Sequence, residues 1–66
     1  MTELDLTTGT RVTHKKGGKY VIFNVGTHSE TKERLVVYAN SKGEVWIRPL
    51  AMFLDAGRFT LDEEDQ

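Results

Sequence analysis

The tetrapeptide Asn40-Ser41-Lys42-Gly43, set between two runs rich in Val, Tyr, Trp and Ile, constrains the fold more than any other stretch. Two β-prone runs joined by a short loop that ends in Gly read as a hairpin. A type I turn at Ser41 and Lys42, with Gly43 left-handed as a bulge, puts Asn40 opposite Glu44. Ala39 then pairs with Val45, Tyr38 with Trp46, Val37 with Ile47 and Val36 with Arg48. Leu35, Val37, Ala39, Val45 and Ile47 fall on one face as an aliphatic set, while Val36, Tyr38, Trp46 and Arg48 fall on the other. A slip of one residue would scatter both sets, so burial and turn chemistry agree on the register. The aliphatic face is the expected core. The Tyr38, Trp46 and Arg48 face is the expected binding surface, because aromatic rings beside a guanidinium can stack and bind as well as pack.

On either side of the hairpin the chain alternates strands and turns. Residues 1–8 are polar with two isolated leucines and read as a flexible arm, with docking of Leu4 and Leu6 as the alternative. Thr10 to His14 alternates as a strand, and Lys15-Lys16-Gly17-Gly18 is a turn. Lys19 to Val25 is a second strand with Tyr20 and Ile22 on one face and Val21, Phe23 and Val25 on the other, which suits a central position. Gly26 marks a bulge or bend, and Thr27 to Lys32 is a polar loop. After Arg48, Pro49 cannot donate to a sheet ladder and suits the start of a helical turn. Leu50, Met52 and Phe53 make that turn an apolar plug, and Arg58 to Leu61 resumes strand alternation.

Five short strands with a helical turn before the last predict an all-β fold, a small SH3-like half-open antiparallel barrel over residues 9–61. An oligonucleotide-binding barrel is the alternative. With no Cys, neither a disulfide nor a thiolate metal site can staple so small a domain, so its core must come from apolar packing. A formal charge of −1 and a pI near 6.1 give no strong nucleic-acid footprint. The charge is uneven, since residues 62–66 form an acidic tail expected to be disordered and the remaining body is mildly basic. No apolar run is long enough to span a membrane and no signal-peptide pattern opens the chain, which points to a cytoplasmic, bacterial-type protein.

Four segments together carry a family resemblance: His14-Lys15-Lys16-Gly17-Gly18-Lys19-Tyr20, His28-Ser29-Glu30-Thr31, Leu35-Val36-Val37-Tyr38, and Trp46-Ile47-Arg48-Pro49-Leu50-Ala51-Met52-Phe53. In this order and spacing, across residues 9–59, the sequence resembles the bacterial family catalogued as domain of unknown function 1653. Val12 departs from that pattern, which has an aromatic there, and Lys16 stands before the glycine pair. The resemblance supports the fold and the choice of residues, and implies no activity.

Functional expectations follow from the residues. Adjacent positions in His28-Ser29-Glu30-Thr31 cannot aim at one another as a catalytic triad, and hydroxyls and a carboxylate in a tight loop suit capping of backbone donors. No catalytic residue, metal site or cofactor is assigned. A metal-assisted enzyme, with His14 and His28 joined by Glu30 or Glu33 as a two-His-one-carboxylate set, is the third reading. The leading reading is a binding module for a peptide or protein, using Tyr38, Trp46, Arg48 and the loop His28, Ser29, Glu30 and Thr31. RNA or single-stranded nucleic acid is the second ligand class, with Arg11, Lys15, Lys16 and Lys19 on phosphates. The competing structural role has Trp46 under the N-terminal arm and Arg48 paired with Glu30 or Glu33. Completion of the barrel by pairing an edge strand with a second copy is a further option, because the last strand, Arg58 to Leu61, is short.

Overall fold

A computed structural model describes residues 1–55 and 57–62. Among them are strands β1 (Arg11–His14), β2 (Lys19–Thr27), β3 (Arg34–Asn40), β4 (Val45–Pro49) and β5 (Phe59–Leu61), with a one-turn helix α1 (Leu50–Phe53) before the last. All pairs are antiparallel, in the order β4-β3-β2-β1-β5. The all-β class and the helical turn are as the sequence indicates. The sheet does not close into a barrel, because no rung joins β4 to β5 and both remain edges. Among the described residues no helix is long and apolar enough to cross a membrane. Of the acidic tail, only Asp62 lies within the described residues.

The β3–β4 hairpin has the expected register throughout, from Ala39 against Val45 to Val36 against Arg48. Its turn explains why. Gly43 sits at φ +85°, a conformation that disfavours side chains, and its N–H donates to the Asn40 carbonyl at 3.0 Å while the Asn40 N–H donates to Glu44 O at 3.0 Å. The Asn40 side chain reinforces the loop, its Oδ1 accepting from the N–H groups of Lys42 and Glu44.

The core lies on the face opposite to the one expected. Val36 is fully buried and Tyr38 is 5% exposed, whereas Val45 and Ile47 are 54% and 64% exposed. Two-residue periodicity sorts side chains onto two faces but does not say which is covered. The covering elements decide it: Phe53 of α1, Phe59 of β5 and Leu6 of the N-terminal segment join the cluster of Val12, Ile22, Val36 and Tyr38. Leu6 therefore docks while Leu4 stays 88% exposed. The segment before β1 is tied to β2, with Thr8 Oγ1 donating to Phe23 O at 2.7 Å and the Gly9 N–H to Ile22 O at 2.8 Å.

A second phase change occurs within β2. Ile22 pairs with Tyr38 and Asn24 with Val37, so Phe23 is an extra residue and the bulge lies there rather than at Gly26. One inserted residue reverses the alternation beyond it. Val25 is consequently carried to the core side, against Val36, and Phe23 is left 44% exposed.

Candidate binding site

Where the two sheet edges approach, side chains take the place of a hydrogen-bond ladder. Tyr38 and Arg48 share the core-side face of β3 and β4, two rungs apart. Arg48 Nε donates to the Tyr38 hydroxyl at 3.2 Å, and its Cζ lies 5.9 Å from the centroid of the Phe59 ring on the opposite edge strand. Phe53 stacks on Phe59 at 4.1 Å with nearly parallel planes, and Tyr38 meets both edge-on at 5.3 and 5.8 Å. Tyr20 adds an edge-on contact to Tyr38 at 5.3 Å. Such aromatic pairs contribute about 0.5–1.5 kcal/mol each beyond burial, so this seam fixes where the guanidinium stands.

Of the two arginines at the seam, Arg58 pairs with Asp55, its Nη2 3.6 Å from the carboxylate. Arg48 is half-buried against a neutral acceptor, and among the described residues no carboxylate pairs with it. His14, at the end of β1, meets Phe59 edge-on at 5.0 Å. Its pKa lies below the ordinary imidazole value, first through partial burial and then through the cations Arg58, Lys15, Lys16 and Arg48. Arg58 also holds a buried Nε without a partner among the described residues. Trp46, opposite Tyr38 on the same face, is 50% exposed. A half-open indole beside a guanidinium that meets no carboxylate among the described residues can receive an extended, carboxylate-bearing segment.

The other expected site residues are distributed differently. Tyr38 supplies a hydroxyl but no open ring. His28, Ser29, Glu30 and Thr31 form a loop closed on itself: His28 Nδ1 accepts from the N–H groups of Glu30 and Thr31 at 3.1 and 3.2 Å, Thr31 Oγ1 accepts from the Glu33 N–H, and Lys32 takes φ +66°. The capping role expected of the loop thus falls to His28 and Thr31, while Ser29 and Glu30 are exposed. The loop begins past the Thr27–Arg34 rung, and among the described residues no hydrogen bond or ion pair joins it to Arg48. The alternative pairing of Arg48 with Glu30 or Glu33 does not occur. Nor is Trp46 covered: it is 50% exposed, and the N-terminal segment is tied to β2 through Thr8 and Gly9 and to the start of β3 through the Glu3–Arg34 ion pair.

His14 and His28 stand at opposite ends of β2, whose nine residues span about 30 Å. Both use Nδ1 to accept a backbone N–H, His14 from Lys16 at 3.1 Å. Among the described residues no three His, Cys, Asp or Glu converge as metal ligands, so the two-His-one-carboxylate arrangement is not formed. The basic residues divide between faces. Lys15 and Lys16 accompany His14, whereas Arg11 and Lys19 gather around Asp62, with Lys19 Nζ 3.5 Å from its carboxylate and the Thr13 hydroxyl also bound to it. An open cleft of about 400 Å³ beside them is lined by Arg11, Lys19, Val21, Ala39 and Asp62, among others.

Sequence reasoning missed the part played by Phe59, and the signal for it was slight, a single aromatic in a three-residue strand. It also passed over β4 as a free edge, although Pro49 was the clue.

Residues 10–64 match the model of a family described as protein of unknown function (DUF1653). The chain belongs to this family. No curated protein and no solved structure matches the DUF1653 chain. The family's description assigns no activity.

Proposed function

We propose that this DUF1653 chain is a bacterial, cytoplasmic binding module that takes up an extended segment of a protein partner along β4, with a partner carboxylate on Arg48 and apolar cover on Trp46. The observation that carries the reading is Arg48 itself: a half-buried guanidinium oriented by Tyr38 and Phe59, with no carboxylate partner among the described residues. Its Nη groups retain donors for a bidentate acceptor. The exposed edge of β4 supplies main-chain groups, as in strand addition. A cysteine-free domain held by apolar packing suits a reducing compartment. Nucleic acid is disfavoured because Arg11 and Lys19 are committed around Asp62, away from Lys15 and Lys16, and leave no single basic track.

Trp46 is the only Trp, so its fluorescence reports on this surface alone. Titration with short Asp/Glu-bearing peptides is expected to shift its emission, and Arg48→Ala to weaken the response about tenfold, the size of a lost charge-assisted hydrogen bond. If peptides give no response while single-stranded RNA gives one that collapses with salt as phosphate contacts do, the ligand class is nucleic acid and the protein reading is wrong.

A further inference from the structure

The outward edge of β4 can be read group by group. Asn40 and Glu44 form a hydrogen-bonded rung. Antiparallel rungs alternate, so Tyr38–Trp46 and Val36–Arg48 are bonded rungs, and the peptide groups of Val45 and Ile47 point away from β3 to the free edge. Pro49 falls on a non-bonded rung with Leu35, where its missing N–H faces outward and costs the hairpin nothing. At the other end the Gly43 N–H is held by Asn40 O. The usable edge is therefore Val45 to Ile47, centred on Trp46.

That segment is complementary to itself. Setting two β4 strands antiparallel about a two-fold axis at Trp46 pairs Val45 of one copy with Ile47 of the other, so both outward peptide groups find outward partners. Centring on Ile47 instead would oppose Val45 to Pro49, and centring on Val45 would oppose Ile47 to Gly43, whose N–H is already engaged. With the axis at Trp46, the exposed side chains of Val45 and Ile47 cover one another on the outer face. On the other face Trp46 meets its counterpart, and Glu44 falls opposite Arg48. Glu44 is exposed, and its Oε1 accepts from Asn40 Nδ2 at 2.7 Å, leaving Oε2 for the guanidinium. Edge strands that remain monomeric usually carry a charge, a bulge or a cover along the edge; between Val45 and Ile47 there is none.

We infer that the partner of this surface is a second copy of the same chain, joined by antiparallel β4–β4 pairing with reciprocal Glu44–Arg48 ion pairs. The inference rests on the reading of β4 and Arg48 as the docking surface and names its occupant. So short a strand makes an interface at the low end of the size range, and the dimer is a concentration-dependent equilibrium rather than an obligate assembly.

The test follows amide hydrogen exchange and sedimentation of the full chain across protein concentration. Exchange at Val45 and Ile47 is expected to slow as concentration rises, while Trp46 and Arg48, whose amides already bond to β3, do not change. Ile47→Lys, at an exposed position that leaves the fold intact, is expected to weaken self-association at least about tenfold by burying an unpaired charge. Glu44→Arg or Arg48→Glu alone sets like charges opposite one another and should abolish pairing, and mixing the two variants should restore it between unlike chains. If Arg48→Glu does not fold, exchange in the wild type and Ile47→Lys decides the matter. A sedimentation coefficient and exchange rates independent of concentration overturn the dimer, as does protection that maps to Phe59–Leu61. In either case a Trp46 response to acidic peptides keeps β4 as a docking surface for another protein, and the lack of one removes both readings.

Discussion

Arg48 Nε donates to the Tyr38 hydroxyl at 3.2 Å, and this hydrogen bond, beside the contact with the Phe59 ring, links the exposed edge of the sheet to its buried aromatic cluster. Tyr38 packs through its ring and presents only its oxygen, so Tyr38→Phe isolates the polar contact. The loss is expected to be about 1 kcal/mol, or a fall of about 4–8 °C in thermal midpoint for a domain of this size. Freed Arg48 should also bind acidic peptides more weakly, since it must then be ordered on binding. An unchanged midpoint and unchanged peptide response in Tyr38→Phe would show that the contact orients nothing.

The placement of the core makes two substitutions behave oppositely. Phe53 is fully buried and stacked on Phe59, and Phe→Ala at such a site costs about 3–5 kcal/mol. A 66-residue domain has only about 3–10 kcal/mol in total, so Phe53→Ala is expected to be largely unfolded by circular dichroism. Ile47→Ala, at an exposed position, is expected to stay within about 0.5 kcal/mol of wild type. Comparable losses at both positions would contradict the burial pattern.

These two residues also show how far the sequence was legible. The Asn40–Gly43 turn determines the hairpin register through local chemistry, and every β3–β4 pair follows from it. Which face is buried depends on Leu6, Phe53 and Phe59, which all lie outside the hairpin, so no periodicity within it could reveal the choice. The Phe23 bulge was hidden for a related reason: it reverses the phase inside a run that is apolar on both faces except at Asn24, and Gly26 was the more visible irregularity. Arg48 was legible as a candidate beside the aromatic pair. Its partner was not, because Tyr38 two rungs away leaves less trace in a sequence than a carboxylate in the next loop.

His28 organises the β2–β3 loop by accepting two backbone N–H groups on one ring nitrogen. His28→Ala leaves Glu30 and Thr31 to water, a change comparable to the loss of a cap, about 1 kcal/mol. Their amides should exchange faster while those of β3 are unaffected. His28→Asn retains an acceptor near the same place and is expected to recover most of the protection. A loop whose exchange is indifferent to His28→Ala would instead be held by its own backbone pattern.

His14 gives the domain a pH dependence whose sign is fixed by geometry. Its Nδ1 accepts the Lys16 N–H, so the neutral ring is the folded form, and burial together with Arg58, Lys15, Lys16 and Arg48 lowers its pKa from the ordinary 6.5. The unfolded chain takes up this proton near 6.5, while the folded chain does so only at lower pH. Between those values the unfolded state binds more protons, so the contribution is whole above about pH 6.5 and is lost as pH falls through the folded value. Asp62 acts in the same direction in a lower window. Its carboxyl is held below its ordinary 3.8 chiefly by the Thr13 hydroxyl, against a smaller opposing effect of burial and with help from Lys19 and Arg11. Above that range His14 alone of the two should be felt. The wild-type thermal midpoint is expected to fall between pH 7 and 5.5, and His14→Asn, which keeps an acceptor but cannot titrate there, should flatten the profile. Imidazole resonances of His14 that titrate at or above 6.5, or a profile that His14→Asn leaves as steep as before, would place the pH dependence elsewhere.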